Sequence, residues 1–269
     1  MTLARRHFQR ASAAAASAAA DPGELINANA YELALASLIE HKRRLKEVQS
    51  IERKIEIKRQ LLPDYEPWID GVLEAGRGGQ DAVLMTVMVW RIDTGDYVGA
   101  LRIAEYALKH DLAMPDQYQR GVATLVVEEI ADQALAALSA GGSFSYYVLA
   151  IVGELTSDCD MPDEVRAKQH KAIGLVMVKL MDGSPEASAL ASEAIEHLRR
   201  AVQLNERVGV KKDIERLERF IKNNSDSALP AANAGTGSQS TIEQAQSAAE
   251  TGASGDAVKG QSGAPAPEN

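Results

Sequence analysis

"VMVWRIDTGDYVGALRIAEYALKHDLAMP" occupies residues 87–115, and its reading decides the fold. It opens on apolar residues, crosses the polar "RIDTGD", and continues as an amphipathic run. One reading is a corner between two packed helices. Gly95 supplies the turn, a carboxylate of "DTGD" caps the helix that follows, and Trp90 fills the hairpin core together with Trp68. The other reading is a small metal-dependent nuclease site, because Asp93 and Asp96 lie three apart beside Arg91. The corner is the simpler expectation, since every residue already has a job in it. Asp93 and Asp96 remain the only catalytic candidates the segment offers.

Helical signals extend outward on both sides. "GVATLVVEEIADQALAALSAGG" stops at Gly141 and Gly142, "SYYVLAIVGELTSD" is short and apolar, and "MPDEVRAKQHKAIGLVMVKLMDG" opens on Pro162 with acids beside it, the usual start signal. "SPEASALASEAIEHLRRAVQLNERVGVKKDIERLERFI" completes a helical hairpin. "GALRIAEYALKH" and "EAIEHLRRAVQLN" align Ala100 with Ala194, Leu101 with Ile195 and Ala107 with Ala201. That weak repeat is of the tetratricopeptide kind, and two copies are too few to define the fold. No segment alternates as a strand does. Aromatics are 4% of a 269-residue chain that is 45% hydrophobic, which suits helices packed through small side chains. The fold class expected is all-α.

"NANAYELALASLIEHKRRLKEVQSIERKIEIKRQLL" reads as one long helix over residues 28–62, stopped by Pro63. Tyr31, Ala34, Leu38, His41, Leu45, Val48, Ile55 and Leu62 give it a narrow apolar stripe, suited to a coiled coil or to a helix lying along its own domain. Residues 1–27 read as a basic, mostly disordered arm, 63–222 as packed helical hairpins, and 223–269 as a disordered acidic tail too poor in large apolar groups to offset ordering entropy. The arm holds Arg5, Arg6 and an alanine-serine run. That run lacks the leucine-type core of a secretion signal, and no stretch reaches the length of a membrane span. The single cysteine, Cys159, fits a reducing compartment.

Charge is unevenly distributed. The chain carries −9, yet residues 1–60 hold 11 Lys/Arg against 7 Asp/Glu, or +4, which leaves −13 for the rest. Lys42, Arg43, Arg44, Lys46, Arg53, Lys54, Lys58 and Arg59 crowd the long helix, with Lys42/Lys46 and Lys54/Lys58 as like-charged neighbours four apart. An anionic partner would relieve that repulsion, and DNA phosphate is the obvious one. Six phosphates neutralised would give a salt slope of about −5. Elsewhere the chemistry is thin. "EAGRGGQDAV" sets three glycines and Arg77 before a helix start, a phosphate-holding geometry. It lacks the Gly-Lys-Ser/Thr ending of a nucleotide loop, so any ATP-driven motor belongs to another chain. A tight turn with Asp81 opening the helix is the plainer reading. Asp158, Asp160, Asp163 and Glu164 surround Pro162 as helix-start acids. The five histidines show no ligand spacing and Cys159 has no partner cysteine, so no zinc or other cofactor is expected.

"LLPDYEPWIDGVLEAGRGGQDAVLMTVMVWRIDTGDYVGALRIAEYALKHDLAMP", "DMPDEVRAKQHKAIGL" and "HLRRAVQLNERVGVKKDIERLER" closely resemble the small terminase subunit of temperate contractile-tailed bacteriophages. The likeness spans roughly residues 25–220, and "RIDTGD" and "MPDEVRAK" are its most specific stretches. It implies recognition of double-stranded viral DNA in the host cytoplasm, a large subunit carrying the packaging ATPase, and a ring-like homo-oligomer. The family is conventionally labelled the endonuclease subunit, with Mg²⁺ implied only if cutting resides in this chain. Some relatives end in a basic tail, and the acidic tail here departs from that. A helical-repeat scaffold that binds only protein is the alternative.

Overall fold

The computed structural model describes residues 2–16, 25–115, 118–182 and 187–227. Among them are ten α-helices and no strand, as expected of an all-α chain: α1 (Leu3–Ala16), α2 (Leu25–Glu47), α3 (Ile51–Ala75), α4 (Ala82–Thr94), α5 (Tyr97–Lys109), α6 (Val122–Ser139), α7 (Tyr146–Leu155), α8 (Asp163–Leu180), α9 (Ala187–Leu204) and α10 (Lys211–Ser227). The centre is α4, where ten consecutive residues from Val83 to Ile92 are buried. A helix apolar on every face must be surrounded, and α2, α3, α5 and α6 surround it. From α6 the packing passes to α8, whose widest contact is with α9; α7 covers α8, and α10 closes on α9. One hydrophobic cluster runs through all of this, from Ala13 to Leu217. Leu84, Met85 and Met88 have no exposed surface, and each is worth about 1.5–3 kcal/mol out of water.

The 87–115 segment is the helical corner. Gly95 adopts the left-handed φ of 81° that ends α4, and its N–H returns to the Arg91 and Ile92 carbonyls. Asp96 then caps α5, accepting from the Gly99 N–H at 3.0 Å. Trp68 and Trp90 are both buried. The helix that follows, α5, ends at Lys109, six residues before Pro115. Ala100, Leu101 and Ala107 of α5 are buried, as are their counterparts Ala194, Ile195 and Ala201 of α9.

The N-terminal region departs from expectation in three ways. The single helix over 28–62 is two helices, because Ser50 caps a fresh start by accepting from the Arg53 N–H at 3.2 Å. Nor does Pro63 stop the second one: α3 continues through Pro63 and Pro67 to Gly76. The two lost N–H donors are four residues apart, on one face, and burial of Leu62, Tyr65, Trp68, Ile69 and Val72 outweighs a cost of about 3 kcal/mol per interior proline. The boundary placed at residue 63 therefore falls inside a helix. The apolar stripe is used within the chain rather than in a coiled coil. Leu38, Leu45 and Leu62 are buried, Tyr31 stacks near Trp68 and takes the Ala82 N–H at 3.2 Å, and His41 meets the Tyr65 hydroxyl at 2.7 Å.

Residues 3–16 of the supposed disordered arm form α1, which packs on α3. Gly71 permits this. A Cβ there would collide with the Arg10 carbonyl and lie 2.8 Å from the Ala13 Cβ, so only glycine lets the two backbones meet. At the other end α10 extends to Ser227, past the expected start of the tail at 223. The rest of that tail, 228–269, and residues 17–24 of the arm lie outside the described residues.

Candidate nucleic-acid interface

The eight cations of the basic stretch do not share one fate. Arg43 lies between Glu40 and Glu47, with Nε 2.9 Å from Glu40 and Nη1 2.9 Å from Glu47. That carboxylate contact, Glu40 first, raises its pKa. Arg53 pairs with Glu56. Lys58 reaches across to Asp93 of α4 at 2.5 Å, both side chains being mostly covered. Arg59 donates to the Thr94 carbonyl at 3.2 Å. Lys42 is partly buried, and burial, with Lys46 behind it, lowers its pKa. Among the described residues Arg44, Lys46 and Lys54 make no side-chain hydrogen bond or ion pair, although Arg44 is close enough to help lower the Glu40 pKa. They flank the α2–α3 break, in the last turn of one helix and the first of the next. The sequence saw a continuous charged rod; the structure shows a basic corner with internal pairs behind it.

The two aspartates of "RIDTGD" are not brought together as a pair. Asp93 faces Lys58. Asp96 caps α5 and pairs with Arg91, whose other Nη atom holds Glu66 at 2.5 Å. Arg91 is itself buried. One acidic neighbour of Asp93 that sequence reasoning missed is Glu129 on α6. Burial raises its pKa first, and Asp93 and then Asp132 add to the rise. No spacing rule reveals a partner 36 residues away on another helix.

The glycine-rich turn is occupied by structure too. Asp81 Oδ1 accepts from the Val83 and Leu84 N–H groups at 2.7 and 2.9 Å, and Oδ2 takes the Trp68 indole N–H at 2.8 Å. Gly78 donates its N–H to the Tyr106 hydroxyl at 2.8 Å. A helix start already holding a buried carboxylate does not offer itself to a phosphate. Asp163 and Glu164 stand in the first turn of α8, where acids meet the helix dipole. Among the described residues no helix is long and apolar enough to cross a membrane.

The geometry therefore defines an all-helical protein with a cationic corner near its N-terminus. The profile of the family described as phage small terminase subunit matches residues 35–164. The "Terminase, endonuclease subunit" of Escherichia phage P2 is 49% identical over 219 residues, which is 81% of this chain and 85% of that one. The "Probable terminase, endonuclease subunit" of Haemophilus phage HP1 is 28% identical over 169 residues, 61% of this chain and 60% of that one. No solved structure matches. The chain belongs to the phage small terminase subunit family, and its role lies in phage DNA packaging.

Proposed function

We propose that the α2–α3 corner grips double-stranded viral DNA and that the helical body presents the bound genome to an ATP-driven large subunit. Several copies act together, as a ring-like assembly, in the host cytoplasm. The observation that carries this reading is the set Arg44, Lys46 and Lys54, cations that make no side-chain hydrogen bond or ion pair among the described residues, flanking one bend. Phosphate contact needs charge that is not already neutralised. With no base-reading motif in the chain, site preference comes from DNA shape and from the geometry of several copies.

Cutting is assigned to the assembled terminase rather than to Asp93 and Asp96 as a free pair, because each of those carboxylates already holds a cation. The test is duplex binding by fluorescence anisotropy at low salt, comparing Arg44→Glu/Lys46→Glu/Lys54→Glu with Arg43→Glu. The triple variant is expected to lose binding by at least roughly a hundredfold, about 3 kcal/mol, and Arg43→Glu far less. Unchanged binding by the triple variant would overturn the reading. A plasmid-nicking assay with Mg²⁺ or Mn²⁺ accompanies it. Nicking by the isolated chain that disappears in Asp93→Ala, Asp96→Ala or Glu129→Gln would move the chemistry into this subunit.

A further inference from the structure

A cleft of about 430 Å³ opens between α7, α8 and α9, lined in part by Tyr146, Ser157, Arg166, Gln169, His170 and His197. DNA contact at the α2–α3 corner makes no use of it. Its donors outnumber its charges' partners. Arg166 Nη1 donates to the Thr156 hydroxyl at 3.1 Å and to Gln169 Oε1 at 2.9 Å; Nη2 donates to the Thr156 and Cys159 carbonyls at 2.7 and 3.2 Å. All four acceptors are neutral. They satisfy N–H groups and leave a partly buried positive charge uncompensated.

Gln169 is 2% exposed, and with its Oε1 taken by Arg166 its Nε2 has no partner among the described residues. That nitrogen faces the α7 wall at Gly153, where a Cβ would stand 3.3 Å away. Beside it His170 Nδ1 lies 3.0 Å from His197 Nδ1. One ring donates and the other accepts, so a second proton breaks the bond unless a new acceptor arrives. Burial first, then His197, Arg200 and Arg166, hold the His170 pKa down to about 4. The acids facing the pair are Glu193 and Glu196 of α9, beside His197, with Glu154 of α7 on the cleft wall. Glu128 and Asp132 of α6 are engaged by Lys168.

We propose that this cleft is an oxyanion site, taking a phosphate group between the Arg166 guanidinium, the Gln169 amide and the His170–His197 pair. The anion supplies the missing counter-charge, accepts from the orphan amide, and gives a doubly protonated histidine pair somewhere to donate. Binding therefore tightens as pH falls, by up to roughly tenfold per unit for each proton taken up. The phosphate comes either from a DNA backbone or from a small phosphorylated molecule.

The experiment follows the histidine ring protons of the full chain by NMR. One arm adds inorganic phosphate against chloride of equal ionic strength, and the other adds a short duplex. His197→Phe keeps a ring but removes the polar partner. Gln169→Leu fills the same space without the donor, and serves as the reading if His197→Phe does not fold. The expected result is saturable movement of the His170 and His197 signals with phosphate or duplex but not chloride, weakened at least fivefold in Gln169→Leu. Movement with duplex, and weaker duplex affinity in Gln169→Leu, identifies backbone phosphate. Movement with inorganic phosphate alone identifies a small ligand. Equal movement with chloride, or none in either arm, overturns the proposal. Neither result depends on the α2–α3 corner, which the triple charge reversal tests separately.

Discussion

Asp81 shows how much one side chain organises. It is buried, caps α4 with one oxygen and holds Trp68 of α3 with the other. Burial pushes its pKa up, and the three donors pull it back. Asp81→Ala removes a helix cap, worth about 1 kcal/mol, and strands a buried indole N–H, worth about 1–3 kcal/mol. A loss of about 2–4 kcal/mol in urea unfolding is expected. In a Trp68→Phe background, which has no N–H to strand, the same change should cost at least about 1 kcal/mol less. His170 gives a pH prediction of definite sign. Its folded pKa, about 4, lies below the ordinary 6.5. Between those values the unfolded chain takes up a proton the native ring does not, so stability falls as pH drops through that window and is unaffected by this group above it. The shift corresponds to about 3 kcal/mol, reduced to roughly 1–2 kcal/mol because the ring is partly exposed. In phosphate-free buffer, Tm of His170→Phe should decline less steeply than the parent's from about pH 6.5 to about pH 4. Parallel curves would show that the ring is not a source of acid sensitivity.

Among the elements, those that the sequence announces are the ones written in local chemistry. Gly95, Asp96, Asp81, Pro162 and the acids after it mark ends that a reader can find without coordinates, because a cap bonds to its own neighbours. Ser50 is of the same kind, followed by Ile51 and Glu52, and was obscured by an apolar stripe that resumes at Ile55 beyond a single break at Glu52. What the stripe packs against is a tertiary fact: Trp68, Tyr65 and Ala82 supply the partners. The same holds for α3 running through two prolines, where packing outweighs a local penalty, and for α1, whose alanine-rich sequence favours a helix but is too short to hold one alone until Gly71 offers a flat surface. Gly71→Ala should therefore undock α1 and leave the rest folded, at about 1–3 kcal/mol for a forced backbone shift. Trypsin cleavage after Arg5, Arg6 and Arg10 is expected to accelerate roughly tenfold, with little change in cleavage elsewhere. Uniform acceleration along the chain would mean that the α1–α3 crossing supports the whole core.

At the scale of the molecule, charge composition located the basic end but not which of its cations stand unbonded. Counting eight cations over 42–59 treats Lys58, held by Asp93, and Arg43, held by two glutamates, as equal to Arg44. Internal bonding reduces the expected phosphate contacts from six to the three cations, Arg44, Lys46 and Lys54, that make no side-chain hydrogen bond or ion pair among the described residues. The slope of log affinity against log salt scales with phosphates neutralised, so it should be about −3 per protomer rather than −5. Measured over a salt series with a duplex just long enough for one protomer, a slope near −3 that flattens to about zero in Arg44→Glu/Lys46→Glu/Lys54→Glu fits a corner contact. A slope near −5 in the parent would require Arg43, Arg53 or Lys58 to leave their carboxylates on binding. That rearrangement would be visible as a dependence of duplex affinity on Asp93→Asn, which frees Lys58 without touching the corner. If Asp93→Asn tightens binding and steepens the slope, the internal pairs are part of a switch. If it leaves both unchanged, the three unpaired cations alone set the affinity.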